Sequence, residues 1–275
     1  MFDLHVHSAP DVTPRRGDDH DVVSAYAAAG FTGCVLKGHY ESTVGRAAAA
    51  SRDSPLAVYG GIALNQHAGG VNPAAVAACL DAGGRVVWMP TADAHTQRAA
   101  GLPSLCGLRP DLAPHSYAIP PVDWTTAESA RAICALVAEA DAVLATGHLS
   151  GPEAEWLLDT AQHHGVRRFL LTHPSYVVPG LSGAETAALT RRGAYAEITT
   201  FQLLHQPGCT AQGLARFAEH VGLDRIVLSS DAGQPDSPPP PQALELLVDA
   251  LVGEGLDREA LSRCAGEQPS ALVTP

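Results

Sequence analysis

Eight short runs rich in β-branched and large apolar residues recur along the chain, at 2–7, 31–37, 56–64, 84–90, 142–148, 167–173, 193–199 and 225–231. Segments with helical character lie between them, beginning for example at Asp19, Pro73 and Thr126, and several end in a stop signal such as Ala29-Gly30, Gly83-Gly84 or His164-Gly165. Glycine just past a helix end accepts the left-handed conformation that other residues resist. Regular strand–helix alternation predicts βα units feeding a parallel sheet. Eight such units close into an α/β fold of the (β/α)8 TIM-like barrel type, and 275 residues suit one such domain spanning 1–275. Two stretches depart from the repeat. Residues 91–124, with Pro103, Pro110, Pro114, Pro120 and Pro121, read as a long loop that covers or shapes a pocket. Gln234 to Pro241 reads as an extended, rigid lead-in to the last helices.

A barrel of this type works at the C-terminal ends of its strands. Four of the eight runs end there in residues that bind metal ions: His5 and His7 on the first, His148 on the fifth, His173 on the sixth and Asp231 on the eighth. Strand alternation turns His5 and His7 to one side, where both imidazoles can grip one ion. A lone His-x-His is weak evidence, since histidines also occupy surface loops and satisfied cores. Four ligand-bearing strand ends in one barrel point to a metal-dependent enzyme.

Composition narrows the partners. A formal net charge of -12 with no basic run argues against nucleic acid, and the expected partner is a small-molecule substrate. Lys37 is the single lysine. Six cysteines lack CxxC spacing, so neither a zinc ribbon nor a thioredoxin-like site is expected. No apolar run approaches membrane-spanning length and the chain enters a strand directly, so cytoplasmic residence is the expectation, with a homo-oligomer left open.

The ligand pattern resembles the amidohydrolase superfamily of metal-dependent hydrolases, and the likeness extends over the chain. That family carries His-x-His on strand one, a carboxylated lysine or a glutamate usually on strand four, histidines on strands five and six, and aspartate on strand eight. His5, His7, His148, His173 and Asp231 match these elements. Glu267-Gln-Pro-Ser-Ala-Leu-Val is loosely similar to a segment common after the last unit. Strand four here ends Val87-Trp-Met-Pro-Thr91, without lysine or glutamate, and Asp93 is the nearest acid. Strand two instead ends in Lys37-Gly-His-Tyr-Glu41, which makes Lys37 the candidate bridge, as a carbamate. An ordinary lysine that holds a substrate anion or pairs with Asp231 is the alternative.

The resemblance implies one or two divalent ions, zinc first and manganese or iron as alternatives, with Lys37 bridging two. It implies an activated water that cleaves an amide, lactam or ester of a small polar substrate, with Asp231 moving the proton. His39, Tyr40, Glu41, Arg15 and Arg16 stand as further ligands or substrate contacts, Glu197 as a residue at the barrel mouth or the partner of an arginine. The opening Asp-Leu-His-x-His-Ser is also similar to the polymerase-and-histidinol-phosphatase type of phosphoesterase. That pattern ends in Asp-x-His, where this chain has Asp231-Ala-Gly233. Metal-assisted decarboxylation and a non-catalytic metal-binding barrel remain as other readings of the same ligands.

Overall fold

A computed structural model describes residues 1–52, 54–102 and 115–274. The strands are β1 (Phe2–Val6), β2 (Gly33–Leu36), β3 (Ala57–Tyr59), β4 (Gly61–Ala63), β5 (Val86–Trp88), β6 (Val143–Ala145), β7 (Arg168–Leu171), β8 (Tyr195–Thr199) and β9 (Ile226–Ser229). All pairings are parallel, in the orders β1-β2-β3 and β4-β5-β6-β7-β8-β9. The expected third strand, 56–64, is thus present in two pieces that part at Gly60. Thr43 bridges the ladder where they part, its hydroxyl donating to the Leu36 carbonyl at 2.6 Å and accepting from the Gly61 N–H at 3.0 Å. At the other seam β1 meets β9 through the His7 N–H to Ala232 carbonyl and Asp231 N–H to His5 carbonyl bonds, both 2.8 Å. Eight staves therefore close into the expected barrel.

Alternation along these short strands sorts the apolar residues into two layers. Phe2, Leu4, Val35, Ala63, Val86, Trp88, Val143, Ala145, Leu170 and Val227 fill the interior. Leu36, Val87, Leu144, Phe169, Leu171, Ile226 and Leu228 pack outward against the helices. Those helices are α1 (Asp19–Ala28), α2 (Val44–Ala50), α3 (Pro73–Asp81), α4 (His95–Ala99), α5 (Ala127–Glu139), α6 (Gly151–His163), α7 (Gly183–Thr190), α8 (Thr200–His205), α9 (Ala211–Val221), α10 (Pro240–Gly253), α11 (Arg258–Cys264) and α12 (Glu267–Val273).

The lower end of the barrel is plugged by α12, whose Leu272 and Val273 join the interior layer. Arg85 donates to the Val273 carbonyl at 2.7 Å, and Arg168 to the Leu272 carbonyl at 2.8 Å, so two cations sit on the unpaired carbonyls at the helix end. The upper mouth of the barrel opens into a cavity. Two expectations about the irregular stretches need correction. Pro240 and Pro241 belong to the first turn of α10, where proline's missing N–H costs nothing, rather than to an extended lead-in. The 91–124 stretch contains α4, while its residues 103–114, with Pro103, Pro110 and Pro114, lie outside the described residues. No helix among the described residues is long and apolar enough to cross a membrane.

Candidate metal centre

His5 and His7 reach one place through an irregularity in β1. Pairing with β2 slips register between Asp3 and Val6, so the inward side of the strand passes from Phe2 and Leu4 to His5 and His7. Asp3 fixes this bend from the outer side. Its buried carboxylate accepts from the His5 and Ser230 N–H groups at 3.1 and 3.0 Å and from the Tyr26 hydroxyl at 2.5 Å. His5 Nε2 and His7 Nε2 then lie 3.1 and 3.3 Å from the same oxygen, Asp231 Oδ1. All three residues are buried, and their donor atoms fall within 4.8 Å of one another.

His148 and His173 stand across the mouth, with ring centres 5.0 Å apart and His173 stacked 6.1 Å from His5. Both depend on unusual backbone. Gly147, at φ +57°, brings the chain so close to β5 that a Cβ there would lie 2.2 Å from the Met89 carbonyl. His173 and Asp231 themselves adopt positive φ, +25° and +48°, conformations that cost side-chain-bearing residues energy and that cluster at functional sites.

Three of the imidazoles are oriented through Nδ1. Glu197 takes His5 Nδ1 at 3.1 Å, Gln97 takes His148 Nδ1 at 3.1 Å and the Thr91 hydroxyl meets His39 Nδ1 at 3.0 Å. Fixing one ring nitrogen presents the other to the cavity in a defined tautomer. Glu197 also accepts from the His173 N–H at 3.2 Å, so its partners are histidines and not an arginine. Thr91 is itself held by Asn65, whose amide donates to the hydroxyl at 2.8 Å and accepts from the Thr91 and Asp93 N–H groups.

Electrostatics favour a cation here. Burial disfavours a proton on His5, yet Asp231 and Glu197 overcome it and the repulsion of Lys37, raising the imidazole to about 9. Burial holds His7, His39 and His148 well below their ordinary value, and holds His173 down to about 4 against the pull of Asp231 and Glu197, so these rings are neutral and free to act as ligands. The Nδ1 atoms of His7 and His173 are buried without a hydrogen-bond partner among the described residues. Imidazole nitrogen with carboxylate oxygen is the donor set of zinc, manganese and iron sites, and His5, His7 and Asp231 could hold such an ion.

Lys37 follows β2 into the same space. Its side chain is buried over the Trp88 ring, with Nζ 2.9 Å from His5 Nε2. Burial drives its ammonium down to about 8, against the pull of Asp231 and Glu197. The cavity above these groups measures about 450 Å³, and Arg15, His39, Gln97, Tyr176 and Phe201 line it as well. Three expected contacts lie elsewhere. Arg16 donates to the Ser237 carbonyl at 2.8 Å, Glu41 pairs with Arg46, and the Tyr40 ring packs on His67 at 4.5 Å. Neighbours in an irregular loop face opposite ways, which explains why Arg15 enters the cavity and Arg16 does not. Gln97, Asn65 and Asp3 escape sequence reasoning, because each acts through a partner set by the folded chain.

The sequence profile of a family of unknown function (DUF6282) matches residues 1–197. The chain belongs to the DUF6282 family. No curated protein sequence matches it. Among solved structures, this DUF6282 chain is similar to an amidohydrolase from Pseudomonas aeruginosa, with 11% identity and a TM-score of 0.67 over 99% of this chain and 94% of that one. It is similar to an organophosphorus hydrolase from Deinococcus radiodurans, with 14% identity and a TM-score of 0.64 over 99% and 92%. A dihydroorotase shares 14% identity and a TM-score of 0.60 over 99% and 68%. The DUF6282 chain thus shares the barrel fold of these proteins.

Proposed function

We propose that this protein is a metal-dependent hydrolase acting on an amide, lactam or ester carbonyl of a small molecule. The observation that carries the reading is the meeting of His5 Nε2, His7 Nε2 and Asp231 Oδ1 at the floor of a cavity, with His148 and His173 across from them. His5, His7 and Asp231 would hold one divalent ion, zinc first, and His148 and His173 would hold a second. Such ions polarise a carbonyl oxygen and lower the pKa of a bound water toward ~7.

The chain's own groups do the rest. Burial alone lifts the Asp231 carboxyl, but the charges and hydrogen bonds of His5 and His7 outweigh it and keep the group well below the usual carboxylate range. Asp231 is therefore ionised at neutral pH and can take a proton from water at a carboxylate oxygen and return it to the leaving nitrogen or oxygen. Burial lowers the Lys37 ammonium to about 8, which favours its neutral amine relative to an exposed lysine. That amine can add carbon dioxide, forming an N–C bond and releasing a proton from Nζ, and the carbamate would supply the carboxylate ligand that β5 lacks. The phosphoesterase pattern fits less well, because its closing histidine falls at Gly233, where a Cβ would lie 2.2 Å from the His7 carbonyl.

Metal analysis of protein purified without chelator tests the reading. About two divalent ions per chain are expected, together with turnover of amides, lactams or esters and no phosphate release from monoesters. Protein that stays metal-free under metal-replete conditions ends it. Glu197→Gln is expected to weaken metal binding by about 10–100-fold through looser orientation of His5, with little change in melting temperature. Competition with a chromogenic chelator measures this, and unchanged affinity removes Glu197 from that role.

A further inference from the structure

Resting on that reading, we propose that the cavity takes a planar, aromatic carbonyl compound bearing a separate carboxylate, with Tyr176 and Phe201 against the ring and Arg15 on the carboxylate. The wall is a continuous series of rings leading out from the ligand cluster. His173 meets Tyr176 edge-on at 5.3 Å, Tyr176 meets Phe201 at 5.8 Å, and Phe201 lies 4.8 Å from His205. The outer end is fixed, since His205 Nε2 pairs with the Ser237 hydroxyl at 2.8 Å. Tyr176 and Phe201 remain half-buried and line the cavity with Pro14 and Pro235, so a flat apolar body finds rigid partners there at little entropic cost.

Arg15 supplies the charge. Its side chain is only 6% exposed although it lines the cavity. Asp11 Oδ2 lies 2.6 Å from both Nε and Nη2, and the other carboxylate oxygen of Asp11 takes the Val12 N–H at 2.6 Å. Nη1 therefore has no hydrogen bond among the described residues. Asp11 thus holds the guanidinium in place without saturating it, and partly offsets its charge, which suits a monoanion better than a phosphate dianion. The guanidinium lies close enough to the floor for its field to be felt at His7, Lys37 and His39. A substrate could therefore meet Arg15 with one end while its scissile carbonyl stands at the histidines.

Calorimetric titration of the full chain with three probes tests this. They are 4-carbamoylbenzoate, its neutral isostere terephthalamide, and flexible adipamate. The first is expected to bind at least about tenfold more tightly than either of the others. Arg15→Gln should bring 4-carbamoylbenzoate and terephthalamide to within about twofold, while Arg15→Lys keeps the preference for charge and guards against a misfolded variant. Phe201→Leu should cut the preference for the aromatic probe over adipamate by about fivefold or more. Equal binding of the charged and neutral probes, or a preference untouched by Arg15→Gln, overturns the proposal. Metal content of the same samples separates the two readings. Metal-free protein that still selects the anion through Arg15 keeps this inference and ends the hydrolase reading. Metal-loaded protein that hydrolyses neutral and anionic amides alike does the reverse.

Discussion

Asp231→Asn is expected to lower kcat by about 10²–10⁴-fold while the protein keeps its metal and its fold. Asparagine matches aspartate in shape, and it tolerates the left-handed backbone, φ +48°, that residue 231 adopts. The backbone bonds that close the barrel at this point, including Asp231 N–H to the His5 carbonyl, do not involve the side chain. An amide oxygen can still face His5 and His7, but an amide cannot accept a proton at neutral pH. Loss should therefore fall on turnover, with little change in KM. Metal content and kcat measured on one preparation decide the matter. A metal-loaded variant with near-normal rates takes the proton-transfer role away from Asp231.

The parts of this site that are legible in the sequence are those set by local periodicity. Strand ends can be counted along the chain, and a barrel brings strand ends together, so His5, His7, His148, His173 and Asp231 follow from position alone. Lys37 follows for the same reason, as the residue that continues β2 inward one step beyond Leu36. Contacts between residues distant in sequence do not follow. Glu197 lies 192 positions from His5, and Gln97 sits in a proline-rich stretch with no strand to fix its direction. The slipped register of β1 is equally hidden, since simple alternation gives the correct mutual side for His5 and His7 without showing that Leu4 shares the interior with them. Loop residues fare worst. Arg15, Arg16, Tyr40 and Glu41 are equivalent by sequence, and only Arg15 reaches the cavity.

Gly233→Ala is expected to cost roughly 3 kcal/mol or more of stability, which for a chain of this size means a fall in Tm of roughly 5–10 °C. Two independent penalties act at this position. Gly233 has φ +127°, a region that residues with a Cβ avoid. A Cβ there would also stand 2.2 Å from the His7 carbonyl oxygen and 2.8 Å from its carbon, and neither atom can turn away as a flexible side chain can. Relief requires the backbone of His7 or of the segment after β9 to move. Those two segments are joined by the His7 N–H to Ala232 carbonyl bond, and the Gly233 carbonyl is held separately by the Arg16 N–H, both at 2.8 Å. Movement at Gly233 therefore displaces His7 relative to Asp231, whose contact is 3.3 Å, so metal affinity should fall together with Tm. Thermal melts with and without added zinc check both effects. In wild type the added ion should raise Tm, and in the variant that rise should shrink. A Gly233→Ala protein with unchanged Tm and an unchanged response to zinc is incompatible with so close an approach of the two segments, and with it the steric case against a histidine at this position would be lost.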